Sequence, residues 1–219
     1  MCLRALVGIV LVGVVATTVP RVEADAQSGS AGTPIRTIKD GMLDEIVVYV
    51  EPQAPAPGRA VMRLFSATDT DLGTGGKDGK DSRKAEAKMV QEQGPKTLAE
   101  RFVVKLKELG PFTDVTTADA GSGGIADALV VDGKFTGIDP GSQAKRYFVG
   151  FGAGKSSVSV SGTLTAPDGT RLATFAQRRI GVMGVAGGDS LQKLLSDTRS
   201  IGEDVAKFVS AWANRKNLK

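Results

Sequence analysis

The Gly-rich segment Gly150–Ser156, GFGAGKS, has the residue types of a phosphate-binding site. In phosphate-binding loops that end in Gly-Lys-Ser, backbone N–H groups and the N-terminus of a following helix face the phosphates. Such a loop also needs a glycine five positions before the Gly of Gly-Lys-Ser, but Val149 stands there. A Ser/Val-rich strand pattern follows instead of a helix pattern. We therefore interpret the segment as a Gly-rich strand corner where backbones pass closely.

Carboxylates are side chains that could carry out acid–base chemistry. The candidates are Asp127, Asp132, Asp139 and Asp168. Asp139 and Asp168 stand beside Pro and Gly in turn sequences, where an Asp side chain bonds its own nearby backbone. Asp132 lies within an apolar strand pattern, and Lys134, two residues on, shares its face. A surface ion pair between these two residues is the prediction, rather than catalysis.

A basic strand leading into the Gly-rich corner completes the predicted binding site. Its residues are Arg146, Phe148, Gly150, Phe151, Gly152, Gly154 and Lys155. The pairs Lys145-Arg146 and Arg178-Arg179 could form one basic patch for phosphate or carboxylate groups if their strands are neighbours, and a solvated face is the alternative. Because aromatic residues are only 5% of the chain, little base stacking is available, and we predict no nucleic-acid binding.

The composition removes several kinds of catalytic site. The sequence has no histidine, which excludes a conventional Ser triad and the commonest general base and metal ligand. Its single cysteine, Cys2, lies in the leader, so a mature form has no thiol or disulfide. We predict no metal, no cofactor and no enzymatic activity. A hydrolase or transferase that uses two carboxylates, and a small-molecule or lipid carrier with an apolar cavity, remain the alternatives.

Residues 1–26 have the pattern of a secretory signal peptide. Arg4 precedes the apolar run Ala5–Ala16, which is shorter than the about 20 residues of a transmembrane helix. An Ala-x-Ala site then predicts cleavage after Ala26 and export to the periplasm or envelope, the alternative being an uncleaved anchor. The net charge is +4, and it stays so after cleavage because the leader holds two basic and two acidic residues.

The remaining chain divides into a flexible spacer at 27–42, one α+β domain at 43–214 and a basic tail at 215–219 that we expect to fray. Period-two and β-branched patterns predict strands at Leu43–Val50, Ala60–Ser66, Phe112–Thr117, Ala128–Ile138, Arg146–Phe151, Ser157–Thr165 and Arg171–Arg178. The strand at 128–138 is expected to be weakened or bulged at Gly133 and Gly137. Short turns between the later strands favour antiparallel neighbours.

Helical periodicity predicts a segment at Lys84–Gln93, a break at Gly94-Pro95, a helix at Pro95–Leu109 and a long helix at Asp189–Asn214 with a weak point at Gly202. The strands before and after the Pro95 helix could form a parallel βαβ unit. The predicted fold is α+β, with a mixed, mostly antiparallel sheet and two main helices packed on one face. Alternation in the strand at 157–165 gives it one Ser/Thr face, which is either solvated or a contact surface.

Three stretches resemble a bacterial envelope family known as domain of unknown function 4410. Positions 133–141 resemble its G-x-[FV]-x-x-[IV]-x-x-G strand, 146–154 its basic strand running into G-[FL]-G-A-G, and 157–169 its alternating strand with a D-x-[GT]-type turn. The resemblance extends from about Ala60 to Trp212. It implies no activity and no catalytic residue. Many members of that family are lipoproteins, and this sequence lacks the lipidation box.

These observations favour an exported envelope protein that acts as a non-catalytic binding or assembly module. Its partner would be another protein or a polymer of the envelope, whose identity the sequence does not specify. The mature form is predicted to have no transmembrane segment.

Overall fold

The computed structural model describes residues 32–53, 56–73, 80–141, 155–181 and 190–219. Two helices account for much of this, α1 at Lys80–Leu109 and α2 at Ser190–Ala213. The strands are β1 Arg36–Lys39, β2 Glu45–Val48, β3 Arg59–Arg63, β4 Asp71–Leu72, β5 Asp114–Ala118, β6 Ala128–Asp139, β7 Ser156–Thr165 and β8 Arg171–Gly181.

All eight strands belong to one sheet, in the order β1-β2-β8-β7-β6-β3-β5, with β4 paired to β6. The pairs β3–β5, β3–β6 and β4–β6 are parallel, and the other pairs are antiparallel. The predicted mixed, mostly antiparallel sheet is therefore confirmed. The predicted βαβ unit is also confirmed, because α1 connects β3 to its parallel neighbour β5.

Glycines in the central strands let aromatic rings lie directly on the sheet. A Cβ on Gly133 would stand 2.6 Å from Cε2 of Phe65, and one on Gly162 would stand 2.4 Å from Cζ of Phe175. The ring of Phe175 also contacts the ring of Phe208 in α2, at an angle of 55° and with 5.7 Å between the ring centroids. Because Phe175 and Phe208 lie far apart in the sequence, the contact between their rings helps to hold α2 against the sheet. The pairing of β6 with β7 shifts its register between Phe135 and Gly137. A bulge therefore lies at Gly137, one of the two glycines where it was expected.

The two helices pack on the same face of the sheet and against each other, as predicted. At Gly202 the two helices pack closely, because a Cβ there would be 2.5 Å from the backbone oxygen of Leu98. The missing side chain lets the helix backbones come this close, and α2 runs unbroken through Gly202. That Gly202 is a weak point of the helix stays a prediction. Leu98, Phe102 and Leu106 are fully buried as expected, but Leu109 at the end of α1 is 39% exposed.

Pro95 does not interrupt the helix. Instead of two segments, α1 runs unbroken for 30 residues with Pro95 inside it. Proline removes one helical hydrogen bond, which favours a break. Here both halves of α1 bury apolar residues in one core, for example Val90 before the proline and Phe102 after it. Tertiary packing thus outweighs the local signal.

Two terminal segments are more ordered than predicted. The spacer assigned to 27–42 contains β1, which pairs with β2 and buries Ile38. The tail does not fray, because Leu218 is 1% exposed and its carbonyl accepts a hydrogen bond of 3.3 Å from the N–H of Met42. In each segment one apolar side chain, Ile38 or Leu218, is buried in the core that the rest of the domain forms.

Candidate contact surface

The sheet face opposite the helices carries short polar side chains. Along β7, Val158, Val160 and Leu164 are buried in the core that includes α1 and α2. Successive side chains of a strand point to opposite faces. Ser159, Ser161, Thr163 and Thr165 therefore lie on the outer face, where they are half-buried, as the sequence predicted. Ser157 departs from the prediction of a wet face, because it is 4% exposed.

Strand pairing extends this outer face on both sides of β7. Thr163 stands opposite Thr174 of β8 and Asp132 of β6, while Ser161 stands opposite Ala176 of β8 and Lys134 of β6. These rows form the floor of an open groove of about 1360 Å³. The groove also includes the loop 121–125 and the turn 166–169 at its sides. We call this surface the groove face.

An ion pair lies in the groove. Nη1 of Arg63 is 3.2 Å from Oδ2 of Asp132, and Nη2 of Arg63 donates to the carbonyl of Gly123 at 3.0 Å. Oδ1 of Asp132 accepts the N–H of Gly133 at 2.7 Å. The prediction that Asp132 pairs with Lys134 is therefore wrong. Because β3 lies next to β6 in the sheet, Arg63 of β3 lies beside Asp132 and pairs with it instead. The lone Arg within the apolar strand sequence AVMRLFS was the signal for this pair.

The other candidate carboxylates mostly serve turns, as predicted. Oδ1 of Asp139 accepts the N–H of Gly141 at 2.8 Å, and Oδ1 of Asp168 accepts the N–H of Thr170 at 2.9 Å. The backbone N–H of Thr170, followed by its hydroxyl, holds the pKa of Asp168 below its ordinary value. Asp127 has a positive φ of 57°, typical of a turn residue, in the loop before β6.

Most of the site predicted at the Gly-rich corner lies outside the described residues. This applies to Arg146, Phe148, Gly150, Phe151, Gly152 and Gly154. Lys155 is described, and it is exposed immediately before β7.

Beside Lys155 the chain is tightly packed against α2. Ser156 is fully buried and pairs with Gly181, where a Cβ would be 2.4 Å from Oγ of Ser156 and 2.9 Å from Oδ2 of Asp197. The other oxygen of Asp197, Oδ1, accepts from Nζ of Lys193 at 2.6 Å. Sequence reasoning missed this buried polar cluster, which joins β7, β8 and α2.

Of the basic pairs, only Arg178-Arg179 is described. Nη2 of Arg178 donates to Oγ of Ser157 at 3.2 Å, on the outer face. Arg179 points to the opposite face and pairs with the buried carboxylate of Asp204. Adjacent strand residues face opposite ways, so these two arginines do not form one patch. The pair Lys145-Arg146 lies outside the described residues.

The described residues contain neither a membrane-spanning helix nor a cluster of metal-binding side chains. No helix among them is long and apolar enough to cross a membrane. No group of three or more metal-binding side chains comes together within the same ranges.

The family model described as Domain of unknown function (DUF4410) matches residues 61–185, more than half of the chain. The chain belongs to this family. The match runs from within β3 to just beyond β8, so it includes β6, β7 and β8, the three strands that form the floor of the groove face. It ends before α2, whereas the resemblance in the sequence suggested an extent to Trp212. A search of curated proteins found no match.

Among solved structures, the chain is similar to PelC from Paraburkholderia phytofirmans, a dodecamer, with 12% identity and a TM-score of 0.37 over 78% of this chain and 95% of that one. It is also similar to protein XCC0632 from Xanthomonas campestris, of family DUF330, with 11% identity and a TM-score of 0.39 over 77% and 94%. Both likenesses are too distant to carry an inference about this chain.

Proposed function

We propose that this protein is an exported envelope protein that acts as a non-catalytic binding or assembly module, and that the groove face is its contact surface. One observation supports this above the others. Among the described residues, a broad area of the sheet is left open, and the side chains that line it can hydrogen-bond but include no strong nucleophile. Ser161, Thr163 and Thr174 each offer a hydroxyl donor and acceptor there. The predicted leader at residues 1–26 supports export.

The groove fits an extended polypeptide segment as its partner. Ser159, Ser161, Thr163 and Thr165 are spaced two residues apart along β7, so neighbouring hydroxyls are about 7 Å apart. An extended peptide repeats its own backbone polar groups and side-chain faces at the same two-residue interval. The exposed amine of Lys134 and the half-exposed carboxylate of Asp132 add charges of both signs.

The two rival functions lack such an observation. A lipid or small-molecule carrier requires an apolar cavity between sheet and helices, but that layer holds the buried core, and the groove lies on the opposite face. A hydrolase that uses two carboxylates requires two of them to converge. Of the described carboxylates that line the groove, Asp132 is bound to Arg63 and Asp168 to Thr170 within its own turn, while Glu45 lies 3.9 Å from Nζ of Lys39.

Site-specific photocrosslinking in the native host tests the contact surface. A photoreactive residue replaces Thr163 in the groove, and a matched control replaces Lys96, whose side chain is 78% exposed on α1. We expect one dominant protein adduct from position 163 and none from position 96. Equal adducts from both positions, or none from position 163, would contradict the proposal.

Fractionation of the same cells tests export separately. We expect the protein in the periplasmic fraction with a mature N-terminus at Gln27. An intact leader on protein recovered from the cytoplasm would contradict export, whatever the crosslinking result.

A further inference from the structure

Two polar atoms beside the groove face have no hydrogen-bond partner in the described part of the chain. They are Nε of Arg63 and Oγ of Ser122, and both atoms are buried. Both residues also line the groove. A buried polar atom without a partner costs free energy, and proteins satisfy almost all such atoms with protein, water or ligand. These two atoms therefore indicate a place where a polar group can bind.

The two atoms lie on the same side of the groove, where Arg63 contacts the loop 121–125. Nη2 of Arg63 donates to the carbonyl of Gly123 at 3.0 Å. In a guanidinium group, the Nε–H bond and one N–H bond of Nη2 lie along the same edge. The Nε–H of Arg63 therefore points to the side on which Gly123 lies, and Ser122 is the residue before Gly123. The unpartnered donor and the unpartnered hydroxyl are consequently close to the same stretch of the loop.

The chemistry of this place favours a neutral oxygen acceptor. The Nε–H group can only donate, whereas the Ser122 hydroxyl can donate or accept. The positive charge of Arg63 already faces a carboxylate, since Nη1 lies 3.2 Å from Oδ2 of Asp132. A second carboxylate here would stand near Asp132, and two like charges at short range destabilise each other. A carbonyl oxygen has two lone pairs and no charge, so it can accept from both groups.

A carbonyl group can enter only if the loop shifts, because both atoms are enclosed. The loop has little packing to oppose this movement. A Cβ built on Gly121, Gly123 or Gly124 would meet no atom within 4 Å, so these residues face open space. Glycine backbones also adopt more conformations than those of other residues. We therefore expect the loop 121–125 to move slightly outward when the carbonyl group binds.

We propose that Arg63 and Ser122 form a subsite for a neutral carbonyl group of the polypeptide partner. The carbonyl oxygen accepts hydrogen bonds from Nε of Arg63 and from the hydroxyl of Ser122. Backbone peptide groups and the side chains of Asn and Gln carry such an oxygen. The inference rests on the proposed function, because it specifies which group of the partner binds at one side of the groove face.

NMR titration with small probes tests the subsite. The signal of the Arg63 Nε–H group, assigned by its loss in Arg63→Lys, is followed as N-methylacetamide or acetate is added. We expect N-methylacetamide to shift this signal in a saturable manner, and acetate at the same concentration to shift it less. Ser122→Ala should weaken the binding of N-methylacetamide about two- to tenfold, which is the effect of losing one hydrogen bond.

Arg59 provides an internal control on the same strand. Its Nε already donates to Oδ2 of Asp114 at 3.0 Å, and Arg59 does not line the groove. Its signal should therefore stay unchanged with both probes. The proposal is overturned by the absence of a shift at Arg63, by equal shifts at Arg63 and Arg59, or by a larger shift with acetate than with N-methylacetamide.

Melting temperatures separate binding from a role in folding. Because the Ser122 hydroxyl has no partner in the described chain, removing it should not destabilise the free protein. We expect Ser122→Ala to melt no lower than Ser200→Ala, which removes an exposed hydroxyl on α2. A clearly lower melting temperature for Ser122→Ala would assign the hydroxyl to the fold and overturn the proposal.

The partner recovered by crosslinking from position 163 separates this inference from the proposed function. Its affinity should fall both for Ala176→Arg in the groove and for Ser122→Ala. A loss with Ala176→Arg but none with Ser122→Ala would retain the groove face and overturn the subsite. Unchanged affinity for both variants would contradict the proposed function, and the probe titration would still decide whether the subsite exists.

Discussion

Gly162→Ala tests how closely the core packs on the sheet beneath the groove. The added Cβ would lie 2.4 Å from Cζ of Phe175 and 2.7 Å from the backbone oxygen of Asp132. The ring can shift, but the backbone oxygen belongs to the neighbouring strand, so we expect a cost of about 3 kcal/mol, at the upper end for an overpacked core. Lower entropy of the unfolded chain offsets about 1 kcal/mol of this.

The net loss in the free energy of unfolding is then roughly 2 kcal/mol, which lowers the melting temperature by roughly 4–8 °C for a domain of this size. Urea denaturation and thermal melting followed by circular dichroism measure both quantities. Gly124→Ala is the matched control, because a Cβ there meets nothing within 4 Å. It should leave stability unchanged or raise it by up to about 1 kcal/mol.

A double variant separates the ring from the backbone. Adding Phe175→Leu to Gly162→Ala removes the ring atoms closest to the new methyl group, so the two changes should couple favourably by more than about 0.5 kcal/mol. The packing argument is refuted if Gly162→Ala is as stable as the parent protein, or if its effect matches that of Gly124→Ala.

Three further predictions concern single side chains. Asp204→Asn should lower the free energy of unfolding by about 1–3 kcal/mol in urea denaturation, because the buried carboxylate of Asp204 binds Arg179 and Lys207. Asp168→Asn should reduce the loss of stability in acid. Because the pKa of Asp168 is lowered in the folded protein, its carboxylate stabilises the fold at pH values above the ordinary aspartate pKa of about 3.9. This stabilisation is lost as the pH falls through the lowered pKa of Asp168. Leu218→Ala should cost about 2–5 kcal/mol, because the side chain is 1% exposed.

Each of these predictions has a clear contrary result. An Asp204→Asn protein no less stable than Glu100→Gln, which breaks only an exposed pair, would contradict the first. Parallel acid-denaturation profiles for the parent and Asp168→Asn would contradict the second. If deleting residues 216–219 leaves the melting temperature unchanged, the tail does not contribute to the core.

Local patterns in the sequence predicted six of the eight described strands, all but β1 and β4, and most buried faces. The alternation along Ser157–Thr165 correctly separated the outer hydroxyls from the buried Val158 and Leu164. Such patterns succeed because the period of two is set by strand geometry alone. The same reasoning found the outer face as a candidate contact surface, but the groove depends on loops and strands that meet only in the folded chain.

Features that depend on distant partners were not predicted. Arg63 meets Asp132 because β3 lies beside β6, and no local pattern specifies that order. Pro95 is a strong local breaker, yet the core on both sides keeps α1 continuous. The four residues of β1 have too weak a pattern to identify a strand, which exists through its pairing with β2.

Binding affinity measured with groove variants tests the account most directly. The partner recovered from the Thr163 crosslink is purified, and its affinity is measured for the parent protein, for Ala176→Arg in the groove and for Lys96→Glu on α1. If the groove face is the contact surface, Ala176→Arg weakens binding at least about tenfold, equivalent to about 1.4 kcal/mol, while Lys96→Glu leaves it unchanged. Equal affinities for the parent and a folded Ala176→Arg protein would contradict the account.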